Sequence, residues 1–187
     1  MRITVVALGF ALVIGAYIIR QNVETSSDRE RIAQKLQYLS KAHRDDPEGD
    51  RFLKDIITIL NSRWSFARVY ACTELQALGP LAKLAIPDLI RALGCGNPFV
   101  EREAARALGT VSVGMDDAVE PLRRKLYAKG SDAAIFAAEA LGNIGSPAIR
   151  TIPDLEKAAK SSDPSIAYRS QKSLKRLRAL EEASAVD

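Results

Sequence analysis

The sequence predicts an all-α fold, an α-solenoid of about four and a half tandem helix pairs. Three observations predict it. First, Ile86-Pro87-Asp88-Leu89 returns as Ile152-Pro153-Asp154-Leu155, 66 residues later, which is two spans of 33. Second, leucines keep the same period without insertion. Leu75, Leu108, Leu141 and Leu174 fall on one column, and Leu89, Leu122 and Leu155 on another, with Ile56 one span earlier. A fixed period of this size is the mark of a repeat array. Third, alanine and leucine dominate while aromatic residues make up 6%, which suits close-packed helices better than sheets.

The chain has 187 residues, 47% of them hydrophobic and 27% charged, ordinary values for a folded protein. A net charge of +4 is too small to argue by itself for nucleic acid. One histidine, His43, cannot build a multi-histidine metal centre. Cys72 and Cys95 are not in a CxxC pair, so they read as small packed side chains, and no disulfide framework is expected. No cofactor is expected either.

Residues 3–19 read ITVVALGFALVIGAYII, uncharged between Arg2 and Arg20. That length is at the short end for a membrane-crossing helix. A cleaved signal peptide would want a small-x-small site after the apolar run, and the run instead ends in Tyr17-Ile18-Ile19-Arg20. A buried core helix would carry some polar positions. The segment therefore reads as an uncleaved single-pass anchor (1–22). Arg20, Arg29, Arg31 and Lys35 follow it, so the positive-inside rule places the body in the cytoplasm. A polar linker (23–28), a repeat domain (29–182) and a tail (183–187) complete the expected organisation.

Apolar spacing predicts a helix from Arg29 to Ala42, then a turn-rich break over 43–49 and a helix from Asp50 to Leu60. The next helix, SFARVYACTELQAL, should end at Gly79-Pro80, since glycine suits the left-handed position after a helix and proline cannot continue one. Its pair starts near Ile86-Pro87, with proline tolerated in the first turn, and stops at Gly94-Cys95-Gly96-Asn97. The third pair is PFVEREAARALGTV with AVEPLRRKLYA, and the fourth AAIFAAEALGNI with TIPDLEKAAK. Asp163-Pro164 opens a final helix. There Arg178 replaces the breaker column of Gly79 and Gly145, so the helix should run on as a polar cap.

A first helix reading AAxALG followed by a proline-started second helix resembles HEAT repeats, of the short variety found in phycobilin lyases. EREAARALG (101–109), AAEALGNIGSPAIRTIPDL (137–155) and ELQALGPLAKLAIPDL (74–89) carry the resemblance, and it covers most of 50–180. It implies a right-handed solenoid whose second helices line a concave face. It says little of function, because the same repeat serves scaffolds, lyases and DNA-binding proteins. Deoxyhypusine hydroxylase has HEAT-like repeats too, but the repeated His-Glu pairs of its iron site are missing here.

On the second helices Arg91, Arg124 and Lys157 share one column, and Arg123, Lys125 and Lys160 add to it. Such a basic strip would suit an acidic partner protein, a phosphorylated segment or anionic lipid headgroups. A plainer reading is that bases late in a helix, opposite the acids Asp55, Asp88 and Asp154 near helix starts, match the helix dipole. Trp64, Phe66 and Tyr70 cluster at the start of the second repeat, with helix packing as the favoured explanation. The basic positions lack interleaved aromatics, so nucleic acid is not expected to bind. No GxSxG, HExxH or P-loop motif occurs. The expected function is a membrane-anchored scaffold binding a partner protein. The alternative is a phycobilin-lyase-type chromophore lyase subunit.

Overall fold

The computed structural model describes residues 50–128 and 132–185. The expected anchor, linker and Arg29–Ala42 helix lie outside the described residues. Among the described residues no helix is long and apolar enough to cross a membrane. The longest, Pro164–Ser184, carries Arg169, Lys172, Lys175, Arg176, Arg178, Glu181 and Glu182, a charge load that hydrocarbon would not accept. This corrects the expected localisation: a single-pass membrane protein with a cytoplasmic body is not supported.

Every regular element among the described residues is helical. The chain divides into two compact units, Met1–Ala71 and Cys72–Asp187. In the first, α1 (Asp50–Leu60) buries Phe52, Leu53, Ile56, Ile59 and Leu60, the three-and-four spacing of one helix face. After a turn the chain enters α2 (Ser65–Leu78), which runs across the boundary. Arg68 Nε donates to the Leu60 carbonyl at 3.2 Å and ties the two helices of this corner. Trp64 and Phe66 pack with ring centroids 6.3 Å apart, and the Arg63 guanidinium lies 4.5 Å above the Trp64 ring.

The second unit continues with α3 (Ile86–Leu93), α4 (Pro98–Val111), α5 (Val119–Leu126), α6 (Asp132–Ile144), α7 (Ile152–Ala158) and α8 (Pro164–Ser184). The long helices α4, α6 and α8 pack side by side in that order, and each short helix lies against the long helix that follows it. The predicted leucine columns are the core of this unit: Leu75, Leu89, Leu108, Leu122, Leu141 and Leu155 have no exposed surface, and Leu174 is buried as well. Each such side chain contributes about 2 kcal/mol by leaving water.

Small residues set the helix spacing. A Cβ on Gly109 would lie 2.8 Å from the Ala140 Cα, and one on Gly142 would lie 2.8 Å from the Ser173 Cα and 2.4 Å from its Oγ. Both contacts join residues 31 apart, so one close approach recurs from α4–α6 to α6–α8. Ser173 Oγ also donates to the Ala138 carbonyl at 2.7 Å, which satisfies its buried hydroxyl.

Two connections are short 3-10 segments, Gly79–Ala85, kinked at Ala82, and Ser146–Thr151. The glycines that precede or open them have positive φ, +56° at Gly79 and +86° at Gly145, as their place after a helix predicts. Asn97 and Asp163 cap α4 and α8. The Asn97 oxygen accepts from the amides of Phe99 (3.1 Å) and Val100 (3.2 Å), and the Asp163 carboxylate from those of Ser165 (2.8 Å) and Ile166 (3.3 Å).

Candidate functional site

The six basic residues singled out in the sequence all belong to the short second helices or follow them directly, and the structure gives them different jobs. Arg91 lies in the last turn of α3, with its side chain 64% exposed, and forms an ion pair with Asp88 one turn earlier. That pair is the helix-local arrangement the dipole reading anticipates. Arg124 on α5 is more open than Arg91, its side chain 70% exposed; Glu120 Oε1 stands 3.8 Å from its Nε. Lys157 on α7 is exposed and holds its ammonium 5.4 Å from the centre of the Tyr127 ring. Lys160 lies just past α7 and is exposed.

Arg123 behaves differently. Its Nε and Nη2 bind the two Glu120 oxygens at 2.8 and 2.9 Å, and its Nη1 reaches the Asp154 Oδ1 at 3.4 Å. It therefore links α5 to α7 across the repeat boundary, again 31 residues apart. The Tyr127 hydroxyl donates to the same Asp154 oxygen. Arg123 is a bridge within the protein, and its donors are largely committed.

The charge states follow from these contacts. The hydrogen bond from Arg123, strengthened by the charges of Arg123, Arg124 and Arg150, holds the Glu120 carboxyl below its ordinary value. Arg123 is held more firmly protonated by its bond to Glu120 and by the charge of Asp154. Desolvation pushes the Tyr127 hydroxyl up to about 12, helped by its bond to Asp154, which would face a phenolate with a carboxylate. Glu120 and Arg123 are therefore held in their charged forms and Tyr127 in its neutral form at pH 7.

Between α3 and α5 lies an open groove of about 320 Å³, lined by Ile90, Leu93 and Gly94 on one side and Pro121, Arg124, Lys125 and Ala128 on the other. The sequence columns did not reveal it. Its apolar lining comes from residues that flank the core columns: Ile90 follows Leu89, and Pro121 precedes Leu122. Proline at 121 stands where the other copies carry an aspartate, Asp88 and Asp154. In space it supplies one apolar wall of the groove.

Lys125 contributes to the groove but is not free. Its Nζ sits 2.8 Å from Glu101 Oε2, with the two side chains only 16% and 11% exposed. Glu101 Oε1 accepts from the Gly96 amide at 2.9 Å. One carboxylate thus holds the α3–α4 turn and anchors the base of the α5 side chain. Glu101 was missed in the sequence because no other repeat has an acid at that register: the column reads Arg68, Glu101, Ala134, Ala167.

On the other side of the unit Phe136 lies between two guanidinium groups, Arg106 at 5.2 Å and Arg169 at 5.8 Å from its ring centre. Glu139 pairs with Arg169. These contacts join α4, α6 and α8 and account for one of the cations of the final helix. Arg178 pairs with Glu156, and Arg176 donates to the Asn143 side chain. Among the described residues no group of three or more His, Cys, Asp and Glu side chains could hold a metal ion. Cys72 is buried and Cys95 half-buried, and no disulfide joins them.

No family model matches the chain, and no curated protein matches it. Its fold is similar to two crystal structures of engineered proteins from the Northeast Structural Genomics Consortium. One superposes with a TM-score of 0.57 at 21% identity, over 88% of this chain and 79% of the engineered one. The other superposes with a TM-score of 0.55 at 22% identity, over 88% of this chain and 47% of its own, so this chain spans about half its length. At these identities the likeness is one of fold, an all-helical repeat-like arrangement.

Proposed function

We propose that the chain is a HEAT-like repeat protein, a right-handed α-solenoid that binds an acidic surface of a partner protein through the concave face formed by its short second helices. The observation that carries this reading is the openness of Arg124. It projects from the groove wall into solvent, and its nearest carboxylate, Glu120, is already held by Arg123 at two points. Arg91, Lys157 and Lys160 extend the cationic register along the same helices. A rigid stack of helices presents such charges at fixed spacing, which steers encounter and sets register more than it adds raw affinity.

The test is affinity capture from a lysate on the immobilised chain, beside an Arg91→Glu/Arg124→Glu/Lys157→Glu variant. A protein held by the parent, released as salt is raised and lost by the variant supports the reading and identifies the partner. Capture of the same proteins by both forms refutes it.

A further inference from the structure

We propose that the face between α3 and α5 takes a peptide segment in which an aliphatic side chain stands next to carboxylates. The aliphatic group fills the groove and a carboxylate pairs with Arg124. This rests on the reading of the second-helix face as a docking surface for an acidic protein, and adds which chemistry it recognises and where.

The groove sets the first half of the requirement. It is open to solvent and has a volume of about 320 Å³, which leaves room for an aliphatic side chain to lie along it. Ile90, Leu93, Pro121, Ala128 and the Gly94 Cα offer carbon to the occupant. The polar head of Lys125 is turned to Glu101 at 2.8 Å, so this residue presents its stem to the groove and its charge elsewhere.

The charges set the second half. Of the two cations in the lining, Lys125 is already neutralised by Glu101 and Arg124 is the one left with donors to offer. A planar guanidinium binds a carboxylate through two parallel hydrogen bonds. The apolar lining beside Arg124 favours a ligand that carries carbon next to its charge, which a phosphate ion or a phosphodiester backbone does not offer. Charge complementarity and the apolar lining together select an acidic peptide with an aliphatic anchor.

The groove can be closed without touching a charge. Gly94 has φ −109°, a conformation open to any residue, and a Cβ there would meet nothing nearer than the Arg91 carbonyl oxygen at 4.0 Å. Gly94→Leu should therefore fold normally and place its own side chain where the ligand's would go. Arg124→Gln removes the charge and leaves the groove open.

The probe is the peptide Glu-Glu-Leu-Glu-Glu, capped at both ends, titrated into the 15N-labelled full chain and followed by amide chemical shifts. Two control peptides replace its Leu by Ala, or all its Glu by Gln. The expected result is saturable shifts at Ile90, Leu93, Gly94 and Ala128. Binding should fall about tenfold with the Ala peptide and with Gly94→Leu, by the usual discrimination of an apolar pocket. It should fall several-fold with the Gln peptide and with Arg124→Gln. A spectrum of Gly94→Leu that matches the parent outside the groove verifies its fold. If the Ala peptide and Gly94→Leu bind as well as their parents while Arg124→Gln does not, the groove is no anchor: the inference falls and the acidic-partner reading stands. If no peptide shifts the groove amides even at millimolar concentration, the inference falls too. The capture experiment then decides the broader reading separately.

Discussion

Gly142→Ala is the sharpest test of how the long helices are spaced. A methyl group there would lie 2.4 Å from Ser173 Oγ, 2.6 Å from its Cβ and 2.8 Å from its Cα. The hydroxyl could rotate away, but the Cα belongs to the α8 backbone, so relief requires α6 and α8 to separate by several tenths of an ångström. Overpacking of this kind costs about 1–3 kcal/mol. Separation also stretches the buried Ser173–Ala138 hydrogen bond, 2.7 Å in the parent, adding about 1 kcal/mol. Against this, alanine gains about 1 kcal/mol over glycine in a helix interior. The net expectation is a loss of about 1–3 kcal/mol. It would be read from urea unfolding followed by circular dichroism, provided fluorescence and dichroism transitions coincide. Ser173→Gly removes two of the three close atoms, so the double variant should recover part of the loss, a coupling that a mutant cycle measures directly. A Gly142→Ala protein as stable as the parent, or more stable by the helix-propensity gain, would refute the argument that this glycine is required by the approach of α8.

Two further outcomes follow from the charged contacts. Glu101→Ala leaves Lys125 as a nearly buried cation without its partner and frees the Gly96 amide; unfolding stability should fall by about 3 kcal/mol. Glu101→Gln, which keeps an acceptor for Gly96, should fall by less, and denaturant midpoints of the three proteins check the order. Tyr127, pushed up to about 12 by desolvation and Asp154, keeps its proton more tightly in the folded chain than in the unfolded one, where the ordinary value is about 10. The stability this contributes is fully present below pH 10 and is lost as pH rises through 12. The residue is 44% exposed, so solvent screening reduces the contribution to about 1 kcal/mol. Tyr127→Phe should therefore lose about that much less than the parent between pH 10 and 12. The parent-minus-variant absorbance at 295 nm should show an ionisation well above pH 10, and a midpoint near 10 would contradict the assigned contact.

The helices were legible because each is punctuated by residues with strong backbone preferences. Pro98 and Pro164 stand in the first turns of α4 and α8 behind capping Asn97 and Asp163, and Gly79 and Gly145 follow α2 and α6. The loss of that glycine at Arg178 predicted that the last helix would continue, and it runs to Ser184. The second helix of the third repeat is shorter than its apolar pattern suggested, ending at Leu126 with Tyr127 as its cap. The 3-10 turns at Gly79–Ala85 and Ser146–Thr151 were not foreseen, because nothing in a period of apolar residues distinguishes a tight turn from a loop.

The sequence by itself determined what repeats: which leucines are buried, where each helix begins, and which register carries the cations. Those features depend on a residue's own chemistry and on neighbours three or four positions away, both of which a periodic pattern records. Only the tertiary structure decided how the charges are shared. Arg123 and Arg124 are adjacent and equally basic, yet one is spent on Glu120 and Asp154 while the other faces solvent. The difference comes from a rotation of about 100° per residue around a helix, set against a neighbour brought close by stacking. The same holds for Glu101 and Lys125 and for the groove beside Pro121. Each depends on a meeting between helices whose contacts join residues about 24 to 35 positions apart, and the strength of such a contact is set by distance and burial, which no single column displays.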